Sequence, residues 1–317
     1  MKILVTGSAG HLGEALMRTL RARQVEVVGV DIVDSPFTDM PGSITNGSVV
    51  ERAMRGVTAV LHAATLHKPH VVSHGRQSFI DTNVSGTLNL LEAAVAQRVK
   101  AFIFTSTTST FGDALTPPPG APAAWITEAV TPIPKNIYGV TKVAAEDLCQ
   151  LFHRNERLPC LVLRTSRFFP EDDDVPTMRA AWQDDNLKVN ELLYRRVDVE
   201  DVVSAHLCAL DKAVEIGFGR FIISATTPFT RADTAELGRD ATQVLQRVAP
   251  EYLPIYSARG WKMLPTLDRV YVNDRAREML GWRPRHDFRS ALRALAASSD
   301  WRSALARQIG AKGYGHG

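Results

Sequence analysis

Cysteine is scarce in this sequence of 317 residues, which contains only Cys149, Cys160 and Cys208. The three are far apart, their number is odd, and none belongs to a Cys-x-x-Cys pair of the kind used for zinc binding or redox chemistry. We therefore expect reduced cysteines that serve as packing residues.

Long apolar runs and dense clusters of one charge are also missing. No stretch of 18 apolar residues occurs, and Met1 leads directly into a short apolar strand, so neither a membrane span nor a secretory leader is indicated. The formal net charge is +3, and no run of Lys and Arg is dense enough to follow a phosphate backbone. These absences predict a cytoplasmic protein that binds neither membranes nor nucleic acid.

The first half of the chain alternates short β-rich runs with amphipathic helical stretches. The hydrophobic pattern predicts strands over 2–6, 25–30, 57–62, 101–106 and 159–164, and helices over 11–23, 80–98 and 138–154. This alternation predicts an α/β fold with a Rossmann-type doubly wound parallel sheet. The proline-rich stretch 113–124 interrupts it and is expected to form a loop beside the site.

After about residue 165 the alternation breaks up, and helices are predicted near 200–210, 231–247, 274–280 and 287–298. We expect a smaller C-terminal α/β lobe, with Asp198, Glu200 and Asp201 capping the helix that starts there. The tail 310–317 has too little apolar content to order itself.

A glycine-rich turn follows the first predicted strand. Gly7, Gly10 and Gly13 stand at positions 1, 4 and 7 of a strand-to-helix turn, which lets the backbone approach a pyrophosphate at a helix N-terminus. Asp31 ends the second strand, 18 residues after Gly13, near the spacing at which a carboxylate accepts hydrogen bonds from the adenosine ribose. Because Asp31 would repel a 2′-phosphate and no Arg follows it, the pattern favours NAD over NADP.

Tyr138 and Lys142 are four residues apart, on one face of a predicted helix. A nearby ammonium favours the phenolate and so is expected to lower the pKa of Tyr138, which suits a base that acts at neutral pH. The strand before this helix ends in hydroxyls from Thr105 to Thr107, where a threonine can bind the oxygen that Tyr138 deprotonates.

Together these segments resemble the extended short-chain dehydrogenase/reductases, in particular the NAD-dependent epimerase/dehydratase family. The matching segments follow the family order over nearly the whole chain: Thr6–Gly13, Asp31, Leu61–Ala64, Asn83–Thr87, Thr105–Thr107, Tyr138–Lys142, Leu163–Arg164 and Leu280–Trp282.

The resemblance implies specific roles for the two domains and for individual residues. It implies an NAD-binding domain over 1–165, a mainly substrate-binding lobe over 166–309 with some segments returning to the first domain, and a flexible tail over 310–317. Dimerisation would use the helices at 80–98 and 138–154. Thr107, Tyr138 and Lys142 would be catalytic, and the cofactor would contact Gly7, Gly10, His11, Leu12, Gly13, Asp31, Ser43, Ile44, Ala63, Ala64, Asn83, Thr105, Tyr138 and Lys142.

Departures from the family pattern narrow the expected chemistry. Thr107-Thr108-Ser109 replaces the Thr-Asp-Glu of family dehydratases, so the acid and base for water elimination are missing. Three positions where the family would bind a nucleotide diphosphate also depart from its pattern: Arg167 stands in place of Asn, Tyr194 stands near the position of a diphosphate-binding Arg, and Lys262–Pro265 replaces an Arg-Pro-Gly-Asp stretch.

A fainter similarity to uronate dehydrogenases, through Arg164-Thr165-Ser166, Pro170-Glu171, Arg179 and Trp182, points to an acidic sugar as substrate. Thr108, Arg167 and Arg179 are therefore candidate substrate residues, because the arginine fork suits a carboxylate. The alternative is that these arginines pair with the acidic turn at 171–174.

Two further questions stay open at this level. The sequence does not separate a dehydrogenase, which releases NADH, from an epimerase, which reduces the ketone again in place; a third alternative is a non-catalytic NAD-binding regulator.

His67, His70 and His74 have the spacing of zinc ligands on a helix, but Pro69 interrupts that helix. We therefore expect no metal, and we expect the three histidines to line the substrate mouth or to be exposed to solvent.

Overall fold

The computed structural model describes residues 1–173 and 175–313. Its strands are β1 (Lys2–Thr6), β2 (Glu26–Asp31), β3 (Met40–Pro41), β4 (Ala59–His62), β5 (Ala101–Thr107), β6 (Ala124–Ile126), β7 (Cys160–Thr165), β8 (Phe218–Ile223) and β9 (Arg269–Tyr271). Seven strands form one sheet in the order β3-β2-β1-β4-β5-β7-β8, and every neighbouring pair is parallel. The predicted Rossmann-type fold is thereby confirmed.

The helices are α1 (His11–Ala22), α2 (Gly47–Met54), α3 (Arg76–Phe79), α4 (Gly86–Ala96), α5 (Ile137–Glu156), α6 (Pro176–Ala181), α7 (Asp184–Glu191), α8 (Val199–Ile216), α9 (Thr234–Leu237), α10 (Ala241–Val248), α11 (Tyr252–Arg259), α12 (Asp274–Met279), α13 (Phe288–Ala296) and α14 (Ala304–Ile309). A π-helical segment, Ile80–Ser85, joins α3 to α4. None of the described helices is long and apolar enough to cross a membrane.

Apolar side chains cover both faces of the sheet. One buried cluster packs α1 and α8 against the sheet, and a second packs α2, α4 and α5 against the other face. All six residues of β7 are buried, as expected for a parallel strand with helices on both sides. Cys149 and Cys160 are free and buried, and Cys208 is partly buried, which confirms their role as packing residues.

The C-terminal part has its own core, which joins α7, α10, α11 and α13. The sequence pattern was wrong in predicting one helix over 231–247: a turn at 238–240 divides it, and Asp240 caps the second half by accepting from the N–H of Gln243. The pattern also missed β8, which adds to the edge of the main sheet beside β7. Asp198 is the N-cap of α8, as predicted, because its side chain accepts from the N–H of Glu200.

Candidate active site

The glycine turn lies between β1 and α1 and has no room for side chains. Gly7 has φ of +73°, and a Cβ there would lie 2.7 Å from the main-chain nitrogen of Ala64. A Cβ on Gly13 would lie 1.8 Å from the carbonyl oxygen of Gly7. Gly10, the N-cap of α1, offers no capping side chain, so the first-turn N–H groups at His11 and Leu12 keep their capacity to bind an anion. The turn therefore fits a dinucleotide diphosphate.

Asp31 ends β2 beside this turn. One carboxylate oxygen accepts from the N–H of Ala9 at 2.9 Å, and the other accepts from the N–H of Val33 at 3.0 Å. These bonds hold the carboxylate at the edge of the glycine turn and leave further lone pairs for ribose hydroxyls. Nearby, Ser43 bonds Thr45 at 2.8 Å, and the buried Ile44 packs against Gly86.

The segment after β4 is held against the turn by Asn83 and Thr6. The Ala63 N–H donates to the Thr6 carbonyl, and the Ala64 N–H donates to the Thr6 hydroxyl at 3.3 Å. The side-chain amide of the buried Asn83 makes two hydrogen bonds with the main chain of Leu66. Its oxygen accepts from the Leu66 N–H, and its nitrogen donates to the Leu66 carbonyl. Asn83 thus holds the loop after β4 in place.

Thr107, Tyr138 and Lys142 converge from β5 and α5. Asn136 caps α5 by accepting from the N–H of Gly139, which fixes the first turn where Tyr138 lies. Tyr138 is 7% exposed and hydrogen-bonds Thr107. The ammonium of Lys142 lies 4.0 Å from the centre of the Phe104 ring.

The electrostatics of Tyr138 differ from the sequence-based prediction. Burial raises the pKa of Tyr138 to about 12, and the hydrogen bond from Thr107 opposes that rise only in part. Burial also lowers the pKa of Lys142 to about 7. The expected lowering of the Tyr138 pKa by Lys142 is therefore wrong for the protein without its cofactor, because desolvation of the phenol is the larger effect.

A buried ion cluster supports these residues and was missed at the sequence level. Glu146 accepts from the Ser106 hydroxyl at 2.6 Å and pairs with Arg164, whose Nη2 is 2.7 Å away. Arg220 adds a further bond to Glu146 at 3.0 Å. The cluster ties α5 to β5, β7 and β8. The feature of the sequence that could have indicated this cluster is the position of Glu146, four residues after Lys142 on the same helical face.

The two candidate substrate arginines lie next to the acidic turn. Arg167 pairs with Asp173 at 2.5 Å and with Glu191 at 3.3 Å, while Arg179 donates to the Asp173 carbonyl at 2.6 Å. Thr108 is buried and begins the 3-10 turn that follows β5. The alternative pairing with the acidic turn is thus present in the structure, and Asp174, the last residue of that turn, lies outside the described residues.

Arg195 and Arg196, which the sequence reasoning did not single out, complete this cluster. Both pair with Glu191, at 2.8 Å and 2.7 Å respectively. Burial favours the neutral form of Glu191, but the three surrounding arginines outweigh it and lower the pKa of that carboxyl to about 2. Glu191 therefore stays charged and holds the arginines in place.

The three histidines lie in or beside the 3-10 helix Lys68–Val72, and the ring of His70 makes edge-to-face contacts with the rings of His67 and His74. His67 also stacks on Phe169, with ring centroids 5.4 Å apart, and burial lowers the pKa of His67 to about 3. Within residues 1–173 and 175–313, no group of three or more His, Cys, Asp or Glu side chains is arranged to hold a metal ion.

Comparison with known proteins points to one family. A sequence model described as the NAD dependent epimerase/dehydratase family matches residues 3–223. The UDP-glucose 4-epimerase of Rhizobium meliloti (strain 1021) is 27% identical over 321 aligned positions, covering 90% of this chain and 93% of the relative.

Solved structures share the fold over nearly the full length. A short-chain dehydrogenase/reductase superfamily protein from Agrobacterium tumefaciens, crystallised with bound NAD, has a TM-score of 0.66 and 25% identity, covering 97% of this chain and 98% of that one. The UDP-glucuronic acid 4-epimerase of Bacillus cereus, in complex with UDP-glucuronic acid and NAD, has a TM-score of 0.64 and 21% identity, with coverages of 98% and 100%.

Proposed function

The chain belongs to the NAD-dependent epimerase/dehydratase family, and on that basis we propose that it transfers a hydride between NAD and a secondary alcohol of a carbohydrate-like substrate. It is an enzyme with NAD as its cofactor. The observation that carries the proposed reaction is the convergence of Thr107, Tyr138 and Lys142 at the carboxyl end of β5. A regulator that only bound the dinucleotide would need the glycine turn and Asp31 but not these three side chains.

The residues that would hold NAD are the glycine turn at its diphosphate, Asp31 at its adenosine ribose, and Lys142 at the nicotinamide ribose. Of the remaining proposed cofactor contacts, Ser43 and Ile44 follow the end of β3, and Thr105 lies near the end of β5. When bound, NAD supplies the hydride acceptor, and NADH supplies the donor.

Tyr138 moves the proton in this proposal. In the reductive direction its phenol donates a proton to the substrate carbonyl oxygen, a role that suits a group whose pKa is about 12 and which is protonated at neutral pH. In the oxidative direction the phenolate accepts the proton of the substrate hydroxyl. Thr107, which already bonds Tyr138, hydrogen-bonds the same substrate oxygen and orients it.

We propose a small acidic sugar as the substrate, held by Thr108, Arg167 and Arg179. The structure adds a condition to this proposal: Arg167 is already paired with Asp173, so a substrate carboxylate must share or replace that partner. The second candidate is a nucleotide-sugar epimerase that retains NAD, which the identity to the UDP-glucose 4-epimerase over most of both chains favours.

The test is to purify the protein, identify any retained nucleotide, and measure turnover with uronic and aldonic acids beside UDP-, GDP- and dTDP-sugars. NADH absorbance reports net oxidation, and separation of sugar products reports epimerisation without net NADH. Oxidation of an acid that is lost in Arg167→Ala or Arg179→Ala supports the acidic-sugar proposal. Epimerisation of a nucleotide-sugar would contradict the acidic-sugar proposal and support the second candidate. No turnover of any tested substrate would support a regulator that binds NAD without catalysing a reaction.

We also propose a homodimer in which α4 and α5 face the partner. Val140 and Leu151 on α5 are 50% and 37% exposed, and Ile80 before α4 is 39% exposed, so an apolar surface is present on these helices. Light scattering of the wild type and of Leu151→Glu tests the proposal. A monomeric wild type would contradict it.

A further inference from the structure

The C-terminal segment of the chain returns to the glycine turn. Helix α14 packs on α1 and α8 through Leu305, Ala306 and Ile309. The chain then leaves α14 at Gly310, whose φ of +60° favours glycine and marks a sharp change of direction. Residues 311–313 run from there to the first turn of α1.

Lys312 makes specific contacts at that turn. Its ammonium donates to the carbonyl of Ala9 at 2.7 Å and pairs with the carboxylate of Glu14. The Lys312 side chain is 24% exposed, and that of Glu14 is 10% exposed, so the pair is partly withdrawn from water. Lys312 and Gly313 are thus held by polar contacts, which the low apolar content of this segment does not predict.

The main chain of the same segment is bound from the opposite side. One oxygen of Glu171 accepts from the N–H of Lys312 at 3.0 Å and from that of Gly313 at 3.2 Å. The same oxygen lies 2.8 Å from Nε2 of His11, the first residue of α1. Glu171 therefore links the tail, the loop after β7 and the start of α1.

We propose that Lys312 and its neighbours form a strap over the glycine turn that retains bound NAD. The strap contacts Ala9 and Glu14 directly and is joined to His11 through Glu171, close to the N–H groups expected to bind the two negative charges of the diphosphate. Glu14 has a separate partner in Arg18, at 2.7 Å from its other oxygen, so Lys312 is not required to neutralise Glu14. Its charge adds to the positive potential of the helix N-terminus, which favours an anion.

A bound dinucleotide and the docked strap therefore stabilise each other. Coupling between two binding equilibria is reciprocal, so NAD must favour the docked strap by the same factor by which the docked strap raises the affinity for NAD. The inference rests on the NAD-dependent function proposed above and deepens it, because a retained cofactor suits repeated oxidation and reduction in place more than release as NADH.

The first experiment measures the cofactor alone, so its result does not depend on which sugar is the substrate. NADH-loaded protein is mixed with excess NAD, and the decay of bound NADH fluorescence gives the dissociation rate. We expect Lys312→Ala to weaken NADH binding at least about fivefold, the lower range of typical coupling, mainly through faster release, and Lys312→Arg to stay close to the wild type. Lys212→Ala, which removes an exposed lysine paired with Glu215 on α8, is the matched control.

The second experiment uses the wild-type chain and needs no variant to fold. Trypsin cleaves after Lys312, and mass spectrometry follows loss of residues 313–317 with and without saturating NAD. We expect saturating NAD to slow this cleavage at least about fivefold, because it lowers the population of the open strap, while cleavage of an added peptide stays constant. Unchanged cleavage, an unchanged dissociation rate in Lys312→Ala, or tighter NAD binding in that variant would overturn the proposal, the last by showing that the tail competes with the cofactor.

Discussion

The ammonium of Lys142, on α5, donates a 2.6 Å hydrogen bond to the main-chain carbonyl of Thr105, on β5. Lys142 is 2% exposed, and burial lowers its pKa to about 7 because the ammonium loses more hydration than Glu146 returns in attraction. With a pKa of about 7, the protonation state of Lys142 changes with small shifts of pH around neutrality.

The pKa of Lys142 predicts a pH-dependent stability in the protein without cofactor. The folded pKa of about 7 lies below the usual 10.5, so between these values the unfolded chain binds more protons than the folded one, and stability rises with pH. Lys142→Met removes this dependence. We expect the melting temperature of the variant, relative to the wild type, to be higher at pH 6 than at pH 9; a constant difference would contradict the lowered pKa.

Tyr138→Phe should preserve the fold and NAD binding but reduce turnover by about two to four orders of magnitude, the usual contribution of a positioned proton-transfer group. The substitution removes only the hydroxyl that bonds Thr107 and keeps the buried ring. Steady-state rates and NAD titration of the same preparation measure both effects. Wild-type turnover in Tyr138→Phe would exclude Tyr138 as the proton-transfer residue.

Asp31 should determine the choice between NAD and NADP. We expect the wild type to bind NAD more tightly and Asp31→Asn to reduce the preference, because the amide removes the charge that repels a 2′-phosphate and keeps one acceptor for Ala9 or Val33. Calorimetric titration with both dinucleotides provides the measurement. Asp39→Asn is a useful comparison, because Asp39 pairs with Arg21 and the N–H of Gly29 at the same edge of the sheet. Equal affinities in the wild type would argue against this role of Asp31.

Glu146→Gln should lower the free energy of unfolding by about 3–5 kcal/mol, because it leaves Arg164 as a buried charge without a full partner. Glu215→Gln changes a carboxylate that is 70% exposed and should have little effect. Denaturant unfolding of the three proteins gives the comparison. Similar losses in both variants would show that the Glu146 ion cluster is not the source of the stability.

Local patterns in the sequence predicted the parts of the site that lie close together along the chain. The glycine turn, Asp31 at the end of β2 and the pair on α5 were visible because strand and helix periodicities, and the need for glycine at a crowded turn, are short-range properties. The parallel, doubly wound sheet followed from the alternation of strands with helices, and the structure confirms it.

What the sequence determined by itself is therefore the α/β class, the dinucleotide turn and the residue types for proton transfer. Only the tertiary structure decided which charged groups pair and how burial shifts their pKa values, because burial depends on neighbours far along the chain. It brought Arg164 to Glu146 over a separation of 18 residues, Glu191 to three arginines, and Lys312 to Glu14 over a separation of 298. It also raised the pKa of Tyr138, since the desolvation of a side chain is fixed by the packed interior around it and not by the residues beside it in sequence.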